Sequence, residues 1–131
     1  MSTSPIPEDI RRFVLSSIPT VPHLEALLLL RAGGAHAWSA GELAERLYVS
    51  EKAAAALLLA LCSDGMCALR PDAGGAQRYH YQPASPRLRA TIDQLAELYG
   101  RELLAVTHLI HSRLERKAQQ FADAFKWRKD S

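Results

Sequence analysis

Apolar residues recur at three- and four-residue spacing along most of this chain, the signature of helices with one buried face. In PEDIRRFVLSSI, Ile10, Phe13, Val14 and Ile18 follow that spacing, and Pro7, Glu8 and Asp9 suit a first turn, so the pattern predicts a helix ending before Pro19. In TVPHLEALLLLRAGG, Thr20 is the cap, Pro22 sits in the first turn, and Gly33 and Gly34 are the stop. This gives a second helix, apolar enough to be central. Ser39 and Glu42 of WSAGELAERLYVS have the S-x-x-E spacing of a capping box, and Leu43 and Leu47 share a face. A short third helix is predicted from about Ala40 to Leu47. Tyr48, Val49 and Ser50 separate it from SEKAAAALLLALCSDG, a fourth helix capped by Ser50 and ended by Asp64 and Gly65.

The pattern then changes. MCALRPD, AGGA and QRYHYQP read as a β-hairpin: two short segments with β-formers around a turn carrying Gly74 and Gly75, closed by Pro83. From Ser85 to about Lys126 the helical spacing returns through Leu88, Ile92, Leu95, Tyr99, Leu103, Val106, Ile110, Leu114, Phe121 and Phe125, with Gly100 the one strong breaker. A helix that long cannot bury its stripe on a wing-sized domain alone. The stripe therefore predicts a partner helix from a second copy of the chain, with Ile92, Leu95, Tyr99, Leu103, Val106, Ile110, Phe121 and Phe125 at the dimer interface. The alternative is that it folds back onto the first helix.

Composition narrows the class without choosing a ligand. With 131 residues, 48% hydrophobic and 23% charged, the chain suits one globular folding unit. A net charge of +2 and a pI of about 8.7 permit a polyanionic partner without arguing for one. The start MSTSPIPEDIRR lacks the order of a secretory signal, and the run Ala26 to Leu30 is far too short to span a bilayer, so a soluble cytoplasmic protein with no membrane partner is expected. Cys62 and Cys67 are too few for a disulfide framework and read as small hydrophobes, with a redox-sensing pair as the other reading. His108 and His111 would make only half of a metal site, and His36 and His80 have no partner at ligand spacing. With no P-loop, nucleophile elbow, dinucleotide fingerprint or paired carboxylates, no enzyme, cofactor or metal is expected.

The stretch WSAGELAERLYVSEKAAAALLLALCSDGMCALR, through Leu43, Leu47, Val49, Leu57, Leu61 and Gly65, resembles the winged helix-turn-helix regulators of bacteria, among them the MarR-like, ArsR-like and PadR-like families. The resemblance covers about residues 20 to 84. It implies a mainly α fold with a small two-stranded β-wing and a long C-terminal dimerisation helix. The chain then divides into an N-terminal helical extension (1–19), a winged helix-turn-helix domain (20–84) and a C-terminal dimerisation helix with a basic tail (85–131). It also implies double-stranded DNA as the partner of a homodimer, and an effector pocket between the wing domain and the dimer helices that no residue set identifies.

Families of this kind carry Ser, Thr, Arg, Gln or Asn on the outward face of the helix after the turn. Stepping about 100° per residue puts Ala54, Leu57, Leu58 and Leu61 inward and Lys52, Ala55, Ala56, Leu59 and Ser63 outward, a departure from that pattern. DNA contact is expected at Ser50, Lys52, Ala55, Ala56, Leu59, Arg70 and Arg78, mainly through the backbone, with weak direct base readout. A second reading is a winged-helix adaptor that presents this apolar helix to a protein partner. A third takes the alanines as helix-forming filler. The basic tail RLERKAQQFADAFKWRKDS is either a solvated face or a further contact.

Overall fold

The structure, a computed structural model, describes residues 5–129, with the backbone alone for Leu114 and for residues 125–129. Six helices and one hairpin follow in order: α1 (Glu8–Ser17), α2 (Val21–Gly33), α3 (Ala40–Leu47), α4 (Glu51–Ser63), β1 (Cys67–Leu69), β2 (Tyr79–Tyr81), α5 (Pro86–Arg101) and α6 (Leu103–Lys129). This is a mainly α winged helix-turn-helix with a two-stranded wing and a long C-terminal helix.

Local chemistry sets the helix ends. Thr20 Oγ1 accepts from the His23 N–H at 3.2 Å, Ser50 Oγ from Ala53 at 3.0 Å and Ser85 Oγ from Leu88 at 3.1 Å. At α3 the capping box is complete: Ser39 Oγ accepts from the Glu42 N–H at 3.1 Å, and Glu42 Oε1 accepts from the Ser39 N–H at 3.2 Å. The core runs through α2, where Leu24, Leu27 and Leu30 are fully buried, and α4, where Ala54, Leu58 and Leu61 are. α2 packs on α3, α4 and β2, while α1 packs on α5 and α6.

That last contact corrects the reading of the long stripe. Ile92, Leu95, Val106 and Ile110 are fully buried within a single chain, in one core with Ile10, Val14 and Ile18 of α1. They therefore do not face a second copy. Periodicity demands a cover for an apolar face, and the chain supplies one by folding α1 across it. Tyr99 is half-buried against the same core, whereas Leu103, Leu104 and Phe121 are exposed by 50%, 73% and 74%. Phe125 lies outside the described side chains. The long helix is also interrupted. Glu102, two residues after Gly100, leaves helical geometry at φ −126° and ψ 49°, which lets α5 and α6 pack on each other as well as on α1.

His23 is buried at the start of α2, and its Nε2 has no hydrogen-bond partner among the described residues. Burial pulls its pKa below the ordinary 6.5, with Asp64 drawing it partly back. A depressed folded-state pKa means the unfolded chain takes the proton more readily. The stability is therefore complete above about pH 6.5 and is lost as the pH falls below that. Melting temperatures should drop from neutral to mildly acid pH, and His23→Leu should flatten that drop. An equally steep drop in the variant would assign it to other groups.

Candidate nucleic-acid interface

The helix-turn-helix is α3, the turn Tyr48–Ser50, and α4. Tyr48 closes α3 in the left-handed region at φ 57° and ψ 43°, and its N–H and that of Val49 both donate to the Ala44 carbonyl. Ser50 then caps α4. Its Oγ already accepts from Ala53, which leaves the hydroxyl proton free to donate outward. Along α4, Lys52, Ala56, Leu59 and Ser63 are exposed at successive spacings of four, three and four residues, a single line down one face. Leu59 is 59% exposed. Ala55, expected on the same arc, is half-buried.

The wing pairs Cys67 with Tyr81, Ala68 with His80 and Leu69 with Tyr79. Trp38, in the segment before α3, adds an antiparallel bridge to Tyr79: the Trp38 N–H donates to the Tyr79 carbonyl at 2.7 Å, and the Tyr79 N–H donates back at 2.9 Å. At the turn, Asp72 Oδ1 accepts from the N–H groups of Gly74 and Ala76, and Gly75 takes φ 82°, where a side chain would be strained.

The two wing arginines behave differently. Arg70 is exposed, and its Nη1 donates to the Ala35 carbonyl at 3.2 Å. Arg78, among the expected DNA contacts, has its guanidinium turned inward and is only a third exposed. Nη1 meets Glu42 Oε1 at 2.6 Å and the Ala37 carbonyl at 3.3 Å, and Nε meets Asp72 Oδ2 at 3.1 Å. Two carboxylates and a carbonyl at this spacing hold it more firmly than solvent does.

Glu42 is thus more than a cap. The same carboxylate takes His36 Nε2 at 3.1 Å and ties α3 to the wing. Burial pushes its pKa upward, but the Ser39 N–H, His36 and Arg78 outweigh that and hold the carboxyl below its ordinary range. Arg78, followed by the Ala76 and Gly74 amides, does the same for Asp72, and the two carboxylates raise the Arg78 pKa in return.

The capping-box spacing foretold only the helix start, because the partner that makes Glu42 a hub lies 36 residues away. Tyr48 stands in the three-residue turn between α3 and α4. It is 95% exposed.

Other candidate features stay apart from this region. His108 and His111 are exposed on α6, and among the described residues no three His, Cys, Asp or Glu side chains gather to hold a metal ion. No single described helix is long and apolar enough to cross a membrane. Cys62 is half-buried and Cys67 buried. Burial, with Cys62 beside it, pushes the Cys67 thiol up to about 12, which makes Cys67 a poor nucleophile.

No protein-family model matches the sequence, and no curated protein does. Solved structures do. HlyU from Vibrio cholerae, in its reduced form, is 27% identical over 70% of this chain and 90% of its own, with a TM-score of 0.52. A homodimeric winged helix-turn-helix DNA-binding domain from Mycobacterium bovis, a possible ArsR-family transcriptional regulator, is 21% identical over 72% of this chain and 82% of its own, with a TM-score of 0.54. A MepR mutant from S. aureus, bound to an oligodeoxyribonucleotide, is 15% identical over 94% of this chain and 87% of its own, with a TM-score of 0.54. A MarR-family transcriptional regulator from Silicibacter pomeroyi is 19% identical over 90% of this chain and 75% of its own, with a TM-score of 0.51.

Proposed function

We propose that this protein is a DNA-binding transcriptional regulator acting as a homodimer. Residues 20–84 meet the duplex mainly through its backbone, residues 1–19 form a helical extension, and residues 85–131 carry the dimerisation helix. The observation that carries the reading is α4 itself: a capped helix N-terminus followed by an exposed line of Lys52, Ala56 and Leu59, in a winged-helix frame. A helix N-terminus and a lysine attract phosphate, and small side chains allow close approach and contact with thymine methyls. Ser50, Lys52, Ala55, Ala56, Leu59 and Arg70 remain in the proposed contact set. Arg78 belongs to the wing's internal support. That the Mycobacterium bovis neighbour is a homodimer and the MepR neighbour carries an oligodeoxyribonucleotide supports both parts. No catalytic group enters the proposal.

The pairing surface follows from what α1 leaves uncovered. α6 is 27 residues long, about 40 Å, and its described side chains from Glu115 to Ala124 are all exposed. Leu103, Ile110 and Phe121 are separated by near-whole numbers of turns, so one stripe starts exposed, passes under α1 and emerges again as Phe121. A second copy would cover Leu103, Leu104 and Phe121.

One observation favours the adaptor reading: Leu59 and Leu69 are exposed apolar side chains, at 59% and 46%. Binding of a mixed-sequence duplex across a salt series separates the two. DNA binding should show a log–log salt slope, and Lys52→Ala and Arg70→Ala should each reduce its magnitude by about 0.9, one phosphate contact apiece. No binding at low salt would leave the adaptor.

A further inference from the structure

We infer that Tyr48 is a contact to the DNA sugar–phosphate backbone, with its phenol hydroxyl donating to a phosphate oxygen at the edge of the groove that α4 enters. The inference rests on the DNA-binding reading above and extends it to a residue outside the proposed contact set.

Three observations converge. The chain must reverse between α3 and α4 within Tyr48, Val49 and Ser50, and it does so by putting Tyr48 in the left-handed region, where both its own N–H and that of Val49 reach the Ala44 carbonyl. Tyr48 is the one non-glycine residue with positive φ among the described residues. Glycine or asparagine adopts that conformation readily, whereas a bulky side chain there is strained.

The side chain gains nothing in return within the chain. It is 95% exposed, so the ring buries almost no apolar surface, and the fold has no use for it. Strain maintained without an internal benefit is a mark of function.

The position supplies the chemistry. In a helix-turn-helix the first helix crosses the phosphate backbone and the second enters the groove with its N-terminal residues foremost, so the turn between them lies along the groove wall. Tyrosine is among the side chains that hydrogen-bond phosphate there. α4 presents alanines and one leucine where base-reading groups would sit, so contacts from its flanks carry a larger share of the affinity.

A neutral donor also has a signature that lysine and arginine lack. It binds phosphate without neutralising it, releases no counterion and leaves the salt slope unchanged.

The test uses the full chain, Tyr48→Gly and Tyr48→Phe, and a mixed-sequence DNA duplex titrated over a salt series, with melting temperatures measured alongside. Tyr48→Gly should melt about 2–4 °C higher, because the strain is relieved. It should also bind roughly tenfold more weakly at every salt concentration, with the slope unchanged. Tyr48→Phe should keep the wild-type melting temperature and lose most of that affinity. If the wild type binds and Tyr48→Gly binds equally well, the contact does not exist, which is the result expected of a tyrosine that meets a protein partner instead. A lower melting temperature for Tyr48→Gly would show the side chain holding the fold and would also overturn the inference. If the wild type fails to bind even at low salt, the DNA-binding reading falls and takes this contact with it.

Discussion

Val106→Asp is expected to unfold the protein, and Leu104→Asp to leave it folded but to break the proposed dimer. Val106 is fully buried between α6 and the rest of the core, so the new carboxylate would be desolvated with no partner. Leaving a charge there costs several kcal/mol, a large fraction of the roughly 5–15 kcal/mol that holds an ordinary domain together. Leu104 is 73% exposed, and a carboxylate there stays in water in the isolated chain. In a dimer that covers this surface, the same charge becomes an unpaired ion in a desolvated interface. Far-ultraviolet circular dichroism should therefore show lost helix for Val106→Asp and native helix for Leu104→Asp, while light scattering halves the mass of the latter. A folded monomer from Val106→Asp would return the stripe to the interface and undo the assignment of α1 as its cover. A wild-type chain that is monomeric at all concentrations would remove the homodimer.

The contrast between those two residues marks how much the sequence disclosed. Thr20, Ser39 and Ser50 announced three helix starts, because a cap and the amide it satisfies lie within three residues of each other. The phase of α4 was legible for the same reason, and Ala54, Leu58 and Leu61 are buried while Lys52, Ala56 and Leu59 are exposed. Local signals run out where the partner is remote. The spacing of Ile92, Leu95, Val106 and Ile110 requires a covered face but carries no information on whether α1 or a second chain covers it. Arg78 reads as an exposed wing arginine until Glu42, 36 residues earlier, is found beside it at 2.6 Å. Trp38 bridging Tyr79 is likewise a pairing between segments 41 residues apart, with no β-pattern around Trp38 to foretell it. Tyr48 differs again: its place in the turn was visible, but the need for a left-handed residue there follows from how α3 and α4 pack, which no short window encodes.

Leu59→Asp should abolish DNA binding without unfolding the protein. The side chain is 59% exposed on the line that includes Lys52 and Ala56, so its loss removes little buried surface. Aspartate in a helix interior costs less than about 1 kcal/mol in propensity, and the capped helix, buried through Ala54, Leu58 and Leu61, tolerates that. At a DNA surface the effect is far larger. A carboxylate held a few ångströms from phosphates adds like-charge repulsion in place of a small apolar contact, and it opposes both Lys52 and the positive end of the helix. An affinity loss of at least a hundredfold, about 2.7 kcal/mol, is expected at low salt, shrinking as salt screens the repulsion. The adaptor reading predicts the opposite pattern, because a charge in an apolar docking strip destroys the protein contact and leaves whatever DNA affinity the chain has intact. Duplex binding that survives Leu59→Asp in a fully folded chain would therefore take α4 out of the groove. A loss of helix would show instead that Leu59 supports the fold, against its exposure. Among these outcomes, only a folded variant whose affinity deficit against the wild type is large at low salt and narrows as salt rises is consistent with α4 lying against phosphates.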